Sequence, residues 1–360
     1  MPDNENNFLS GKTEVETWNP KLYLDQLTEN IQPQSAFYPG MDWDDWSAEL
    51  AERMVSLLGG FPEHSSFLDP VILERTELDD HIRERVEITT YEGLRMPMYL
   101  LLPLRSYERP RPIVIALHGH GYGSREIIGL EPDGSERTGQ PGLHKDFALE
   151  LVRRGFIVVA PELLGFGDRR LREDFTADPK KSSCHYIALR LLMAGGTLAG
   201  YRIYEMIRAL DYVQTREEAD PVRIGCMGIS GGGMIASMMS ALDERIGATV
   251  ISGYANTFED SILTRSHCLD NYIPGILREA RMADFIGLIA PRPLLLEAGI
   301  EDRVFPLIGA KRAYTILEQI YEAASAKESL KADFFDGGHE ISGRMAYDWL
   351  EEQLSSKLQD

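Results

Sequence analysis

Six short β-rich runs, most of them apolar from end to end, constrain the fold more than any other feature of the chain. They are "PIVIALHG" (112–119), "FIVVAPE" (156–162), "RIGCMGIS" (223–230), "GATVISG" (247–253), "PLLLEAG" (293–299) and "KADFFDGG" (331–338). A strand with one wet face alternates apolar and polar residues, whereas a run without alternation suits a strand buried on both faces of a parallel sheet. Helix-like segments at 144–154, 197–216, 232–243, 308–324 and 342–357 separate or follow most of these runs. The alternation predicts an α/β domain, a mostly parallel central sheet with helices on both faces. Upstream, "RERVEITT" and "RMPMYLLLP" flank Tyr91-Glu92-Gly93 and predict a two-stranded hairpin.

Residues 83–360 are therefore read as one catalytic-size domain, and residues 1–82 as a partly helical N-terminal arm. Within the arm, "WNPKLYLDQLTENI" and "DWDDWSAELAERMVSLLGG" carry helical periodicity, the second ending at Gly59-Gly60. Its Trp, Leu and Met residues are expected to pack on the main body. A cap over a site, or a contact in a homo-oligomer, is the alternative. A formal net charge of −20 leaves no basic face for phosphates and excludes nucleic acid as the expected partner. No apolar run reaches the roughly 18 residues of a membrane span. The first residues lack the basic-then-apolar order of a secretory signal, and the three cysteines, Cys184, Cys226 and Cys268, form no disulfide framework. A cytoplasmic protein is the expectation.

In open parallel sheets, sites collect at the carboxyl ends of strands. One such end carries "GCMGISGGG", glycines crowded around Ser230 between a strand and a helical pattern. This is the context a G-x-S-x-G nucleophile turn requires, here Gly228-Ile229-Ser230-Gly231-Gly232. Side chains two positions before and after the serine would collide in so sharp a turn, which accounts for glycine at both. The competing reading is a glycine-rich turn without chemistry. A dinucleotide fingerprint would want its glycines after the first strand instead.

A serine hydroxyl needs a base oriented by an acid. Two histidines follow Ser230, and His339 in "FFDGGHE", directly after the last run, is the better placed; His267 lies in an irregular stretch. For the acid, "LLLEAGIEDRVFP" offers Asp302 just past a strand end, with Glu301 as its neighbouring fallback and Asp260 as a weaker candidate. An oxyanion would be held by the backbone N–H of Gly231 and a second N–H from "LHGHGYG", assigned to His120. No metal is expected: His118 and His120 lack a third nearby ligand, and nothing in the sequence fixes the separation of "SCH" (183–185) from "HC" (267–268). The loops 121–146 and 166–195 are expected to border the pocket.

The stretches "RRGFIVVAPELLGFGDRR", "DPVRIGCMGISGGG", "ALDERI", "APRPLLLEAGIEDRVFP" and "FFDGGHE" resemble the α/β-hydrolase superfamily. Within it, they look like the dienelactone-hydrolase-related branch that includes bacterial acetyl-xylan-esterase-like proteins. The resemblance spans about 83–357 and implies Ser230 as nucleophile, Asp302 as acid, His339 as base, and an oxyanion hole at His120 and Gly231. Two departures stand out. Serine replaces the cysteine of dienelactone hydrolases proper, and Glu162 stands where relatives commonly carry Asp. The expected activity is hydrolysis of small carboxylic esters, including acetylated sugars, through an acyl-enzyme and without a cofactor. A peptidase of prolyl-oligopeptidase type and a catalytically silent binding protein are the alternatives.

Overall fold

A computed structural model of the protein describes residues 18–104 and 110–355. Nine strands form one sheet: β1 Val71–Glu77, β2 His81–Tyr91, β3 Leu94–Pro103, β4 Arg111–Leu117, β5 Ile157–Pro161, β6 Ala219–Ile229, β7 Ala248–Ser252, β8 Leu294–Gly299 and β9 Leu330–Phe335. The order is β1-β2-β3-β5-β4-β6-β7-β8-β9. The hairpin β2–β3 and its neighbours are antiparallel, and everything from β5 to β9 is parallel. This is the α/β-hydrolase fold. Strand order reverses at β4, which has β5 on one side and β6 on the other, so a crevice opens above β4 and β6.

Among the described residues, these helices accompany the sheet: α1 Lys21–Glu29, α2 Trp43–Leu57, α3 Phe147–Arg153, α4 Cys184–Met193, α5 Leu198–Val213, α6 Gly231–Leu242, α7 Ile276–Glu279, α8 Met282–Gly287, α9 Leu307–Ala323 and α10 Ala346–Ser355. The apolar runs explain the two-layer cover. Along β4, Ile113, Ile115 and Leu117 face a core built with α2, α5, α6, α8 and α9. Val114 and Ala116 face the opposite core, closed by α3 and α10. Among the described residues, no helix is long and apolar enough to cross a membrane.

The arm is stitched into this core. In α2, Asp42 caps the helix by accepting from the Asp45 amide, and Trp46, Leu50 and Met54 form its buried stripe. The sheet begins at Val71, ahead of the expected division at residue 82, which falls inside β2. Strand β1 is hard to read from sequence because it is an edge: it is exposed along nearly its whole length, and three of its seven residues are charged, as edges that must avoid further pairing commonly are. Helix α4 was likewise hidden in a segment read as loop.

If the arm shares the main core, Leu50→Ala should cost about 2–5 kcal/mol. Denaturant unfolding should show the loss in one cooperative transition. A separate early transition with the main one unmoved would contradict this.

Candidate active site

The turn after β6 is governed by close backbone contacts. Ser230 has φ 57° and ψ −122°, a conformation that costs a non-glycine residue energy and persists only where surroundings enforce it. The enforcement is visible at the flanking glycines. A Cβ on Gly228 would lie 2.3 Å from the Gly232 carbonyl oxygen, and one on Gly232 would lie 2.2 Å from that of Leu117. The collision expected from the sequence is therefore present, and it involves β4 as well as the turn itself. The Ser230 amide donates to the Ser252 carbonyl at 2.9 Å, pinning the turn to the end of β7.

The two histidine candidates are separated by their partners. His339 Nδ1 lies 2.8 Å from Asp302 Oδ2. The other carboxylate oxygen, Oδ1, accepts from the amides of Val304 at 2.7 Å and Phe305 at 2.9 Å, so the buried Asp302 is held by three donors. The His267 ring instead meets the Ser261 carbonyl, at 3.3 Å from Nε2. Glu301 is exposed, and Asp260 pairs with Arg312 and Thr257. Gly253, next to the residue that pins Ser230, packs against the His339 ring: a Cβ there would stand 3.1 Å from both Nδ1 and Cε1. One cavity of about 530 Å³ is lined by Ser230, Gly231, His339 and His120 together.

The loop after β4 has its own support. The Gly119 amide donates to His144 Nε2 at 2.9 Å, while His144 Nδ1 faces Glu126 at 3.5 Å, an electrostatic contact rather than a well-formed hydrogen bond. Glu126 also accepts from the Tyr122 amide at 2.9 Å. Burial lowers the His144 pKa, so the ring is kept neutral and able to accept. His118 packs in the loop: Nδ1 sits 2.9 Å from the Gly119 carbonyl, and Nε2 accepts from the Leu163 amide at 3.2 Å. Glu162 accepts from the Ser124 amide and hydroxyl at 3.0 and 2.9 Å, tying the end of β5 to the same loop. Burial also lowers the pKa of His120.

The cavity walls differ in part from expectation. Phe166, Ser182, Cys184 and His185 of the 166–195 loop line it, whereas no residue of 121–146 does; that segment lies behind, where His144 holds the Gly119 amide. Other walls come from 266–271 and Val304-Phe305. A buried ion pair, Arg202 with Asp270, is part of that lining, and its guanidinium also donates through Nε to the Leu164 carbonyl at 3.0 Å. Neither that pair nor the His144–Glu126 support is signalled in the sequence, since partners 68 and 18 positions apart carry no local pattern. Among the described residues, no group of three His, Cys, Asp or Glu side chains is arranged to hold a metal.

Behind His339, Glu297 joins two strand ends. It accepts from the Ser252 hydroxyl at 2.5 Å and from the Gly343 amide, beyond His339, at 2.9 Å. Burial pushes its carboxyl up to about 7 from an ordinary 4.5. A raised pKa means that this stabilising contribution is complete below the ordinary value and is lost as pH rises through about 7. Glu297→Gln, which mimics the protonated form, should therefore gain stability relative to wild type as pH increases across that window. Paired melting curves between acid and neutral pH test this, and a difference in Tm independent of pH would refute it.

Comparison with known proteins fits this architecture. The profile of the Abhydrolase family matches residues 19–327. YtaP of Bacillus subtilis (strain 168), provisionally named a hydrolase, is 29% identical over 301 residues, covering 81% of this chain and 93% of its own. Among solved structures, a provisionally named acetyl xylan esterase from Bacteroides fragilis NCTC 9343 superposes with a TM-score of 0.74 at 20% identity, over 87% of this chain and 81% of that one. A glucuronoyl esterase from Solibacter usitatus gives 0.64 at 16% identity, over 91% and 98%.

Proposed function

The chain belongs to the Abhydrolase family, and from that premise we propose that it is a serine carboxylic-ester hydrolase working through an acyl-enzyme. The observation that carries the reading is the 2.8 Å contact between His339 Nδ1 and Asp302, made at a cavity shared by His339 and Ser230. With Nδ1–H committed to the carboxylate, Nε2 is the ring atom left to accept the Ser230 proton. Asp302 holds the tautomer and stabilises the imidazolium that forms. Ser230 Oγ then attacks the ester carbonyl.

The negative charge that develops on the carbonyl oxygen is met by two amides. Gly231 opens α6, where N–H groups lack intrahelical partners and the helix dipole favours an anion. The Gly119 amide is taken by His144, which leaves the next one, His120, as the second donor. The alcohol departs with the proton from His339, and water deprotonated by the same ring releases the acid.

Small esters of polar alcohols suit the cavity, whose walls alternate Ser182, His185, His267 and Asn271 with Leu163 and Phe166. The names of the fold neighbours support a carbohydrate ester, the sugar supplying the alcohol in an acetyl xylan and the acyl group in a glucuronoyl ester.

Steady-state hydrolysis of acetyl esters tests the reading. Ser230→Ala should lose roughly 10⁴-fold or more in kcat, and Asp302→Asn about 10⁴-fold, while Glu301→Gln stays near wild type. Equal losses for the Asp302 and Glu301 variants would overturn the choice of acid. Aminoacyl-amide turnover exceeding ester turnover would instead make the protein a peptidase, and no turnover of either kind a binding protein.

A further inference from the structure

Two of the three cysteines meet at the cavity that holds Ser230, although 84 positions separate them in sequence. Cys184 is the first residue of α4, and Cys268 precedes the short turn Leu269–Asn271. Cys184 is buried in a niche where Arg202 Nη2 donates to its sulfur at 3.0 Å and Gly165 leaves room for it: a Cβ on that glycine would stand 3.2 Å from Sγ. Cys268 is only partly buried and so presents the pair to solvent through the cavity. Both line the same cavity, where the helix that Cys184 opens packs against the Leu269–Asn271 turn, and the neighbouring Cys268 together with the Arg202 charge holds the Cys184 thiol below its ordinary pKa despite burial. A thiolate beside a cation, with a second thiol against it, is the arrangement of a reactive and a resolving cysteine.

We propose that Cys184 and Cys268 are a redox site, closed to a disulfide by a small hydroperoxide and reopened by a thiol. The Cys184 thiolate attacks the terminal oxygen of the hydroperoxide, forming a sulfenic acid and releasing hydroxide or alkoxide as the O–O bond breaks. The Cys268 sulfur then forms the S–S bond, its proton leaving with the sulfenic hydroxyl as water. Two thiols are oxidised and one peroxide is reduced. An external dithiol reverses the bond by exchange. The link ties the start of α4 to the segment that carries Asp270, two walls of the same cavity. Cys226 provides an internal control, because it lies wholly buried in β6 with its thiol pushed up to about 12 by burial.

The test uses the intact chain and hydrogen peroxide as the probe, and it is read by mass, so its outcome is independent of whether the protein hydrolyses esters. Reduced protein treated with stoichiometric peroxide should lose about 2 Da as a single chain. Non-reducing peptide maps should then contain a Cys184–Cys268 linked peptide, with Cys226 free to alkylate after unfolding. Dithiothreitol should restore both thiols. In Cys268→Ser, the same treatment should leave a sulfenic acid on Cys184 that dimedone traps. The proposal is overturned if wild-type Cys184 and Cys268 both remain alkylatable, if the linked peptide joins two chains, or if oxidation stops on Cys268 alone.

Discussion

Everything at the site depends on one close backbone contact. The carbonyl oxygens of Leu117 and His118 lie so near Gly232 that a Cβ there would come within 2.2 and 2.6 Å of them. Beside that contact, β4 and β6 run in parallel register, Ala116 opposite Met227 and Leu117 opposite Gly228. The turn bearing Ser230 and the loop bearing His120 are thus two ends of one packed junction and cannot shift independently. The unfavourable φ of Ser230 is sustained by this packing and by the bond from its amide to Ser252.

The rest of the site is assembled by fixing loops to that junction through polar groups buried in pairs. Ser252 serves twice: its carbonyl holds Ser230, and its hydroxyl holds Glu297, which reaches the segment after His339 through Gly343. On the other side, neutral His144 holds the Gly119 amide and Glu162 holds Ser124. A buried donor left without a partner costs about 1–3 kcal/mol, so each of these bonds selects one loop conformation over looser ones. Arg202 does the same in the cavity wall, linking Leu164, Cys184 and Asp270 from three separate segments.

The parallel strands and the helices following them were legible because burial on both faces leaves continuous apolar runs. The candidates at their carboxyl ends followed from topology: Ser230, Asp302 and His339 come one, three and four residues after the ends of β6, β8 and β9. Asp302 is preferred to Glu301 from sequence on position alone, whereas the amides of Val304 and Phe305 turned towards it have no sequence signal. Strand β1 escaped notice because an exposed edge is written in charges rather than in a hydrophobic pattern. His144, Arg202 and the meeting of Cys184 with Cys268 were illegible for another reason. Each depends on segments brought together by the tertiary fold, and no periodicity within a segment encodes its distant partner.

The central claim is that the fold makes one serine, among all those in the chain, nucleophilic. Reaction with a fluorophosphonate followed by peptide mass mapping tests it most directly. The account predicts a single stoichiometric adduct on Ser230, formed rapidly in wild type and far more slowly when His339 is replaced by Ala. An adduct on another residue, or labelling of Ser230 at the same rate without the imidazole, would contradict it.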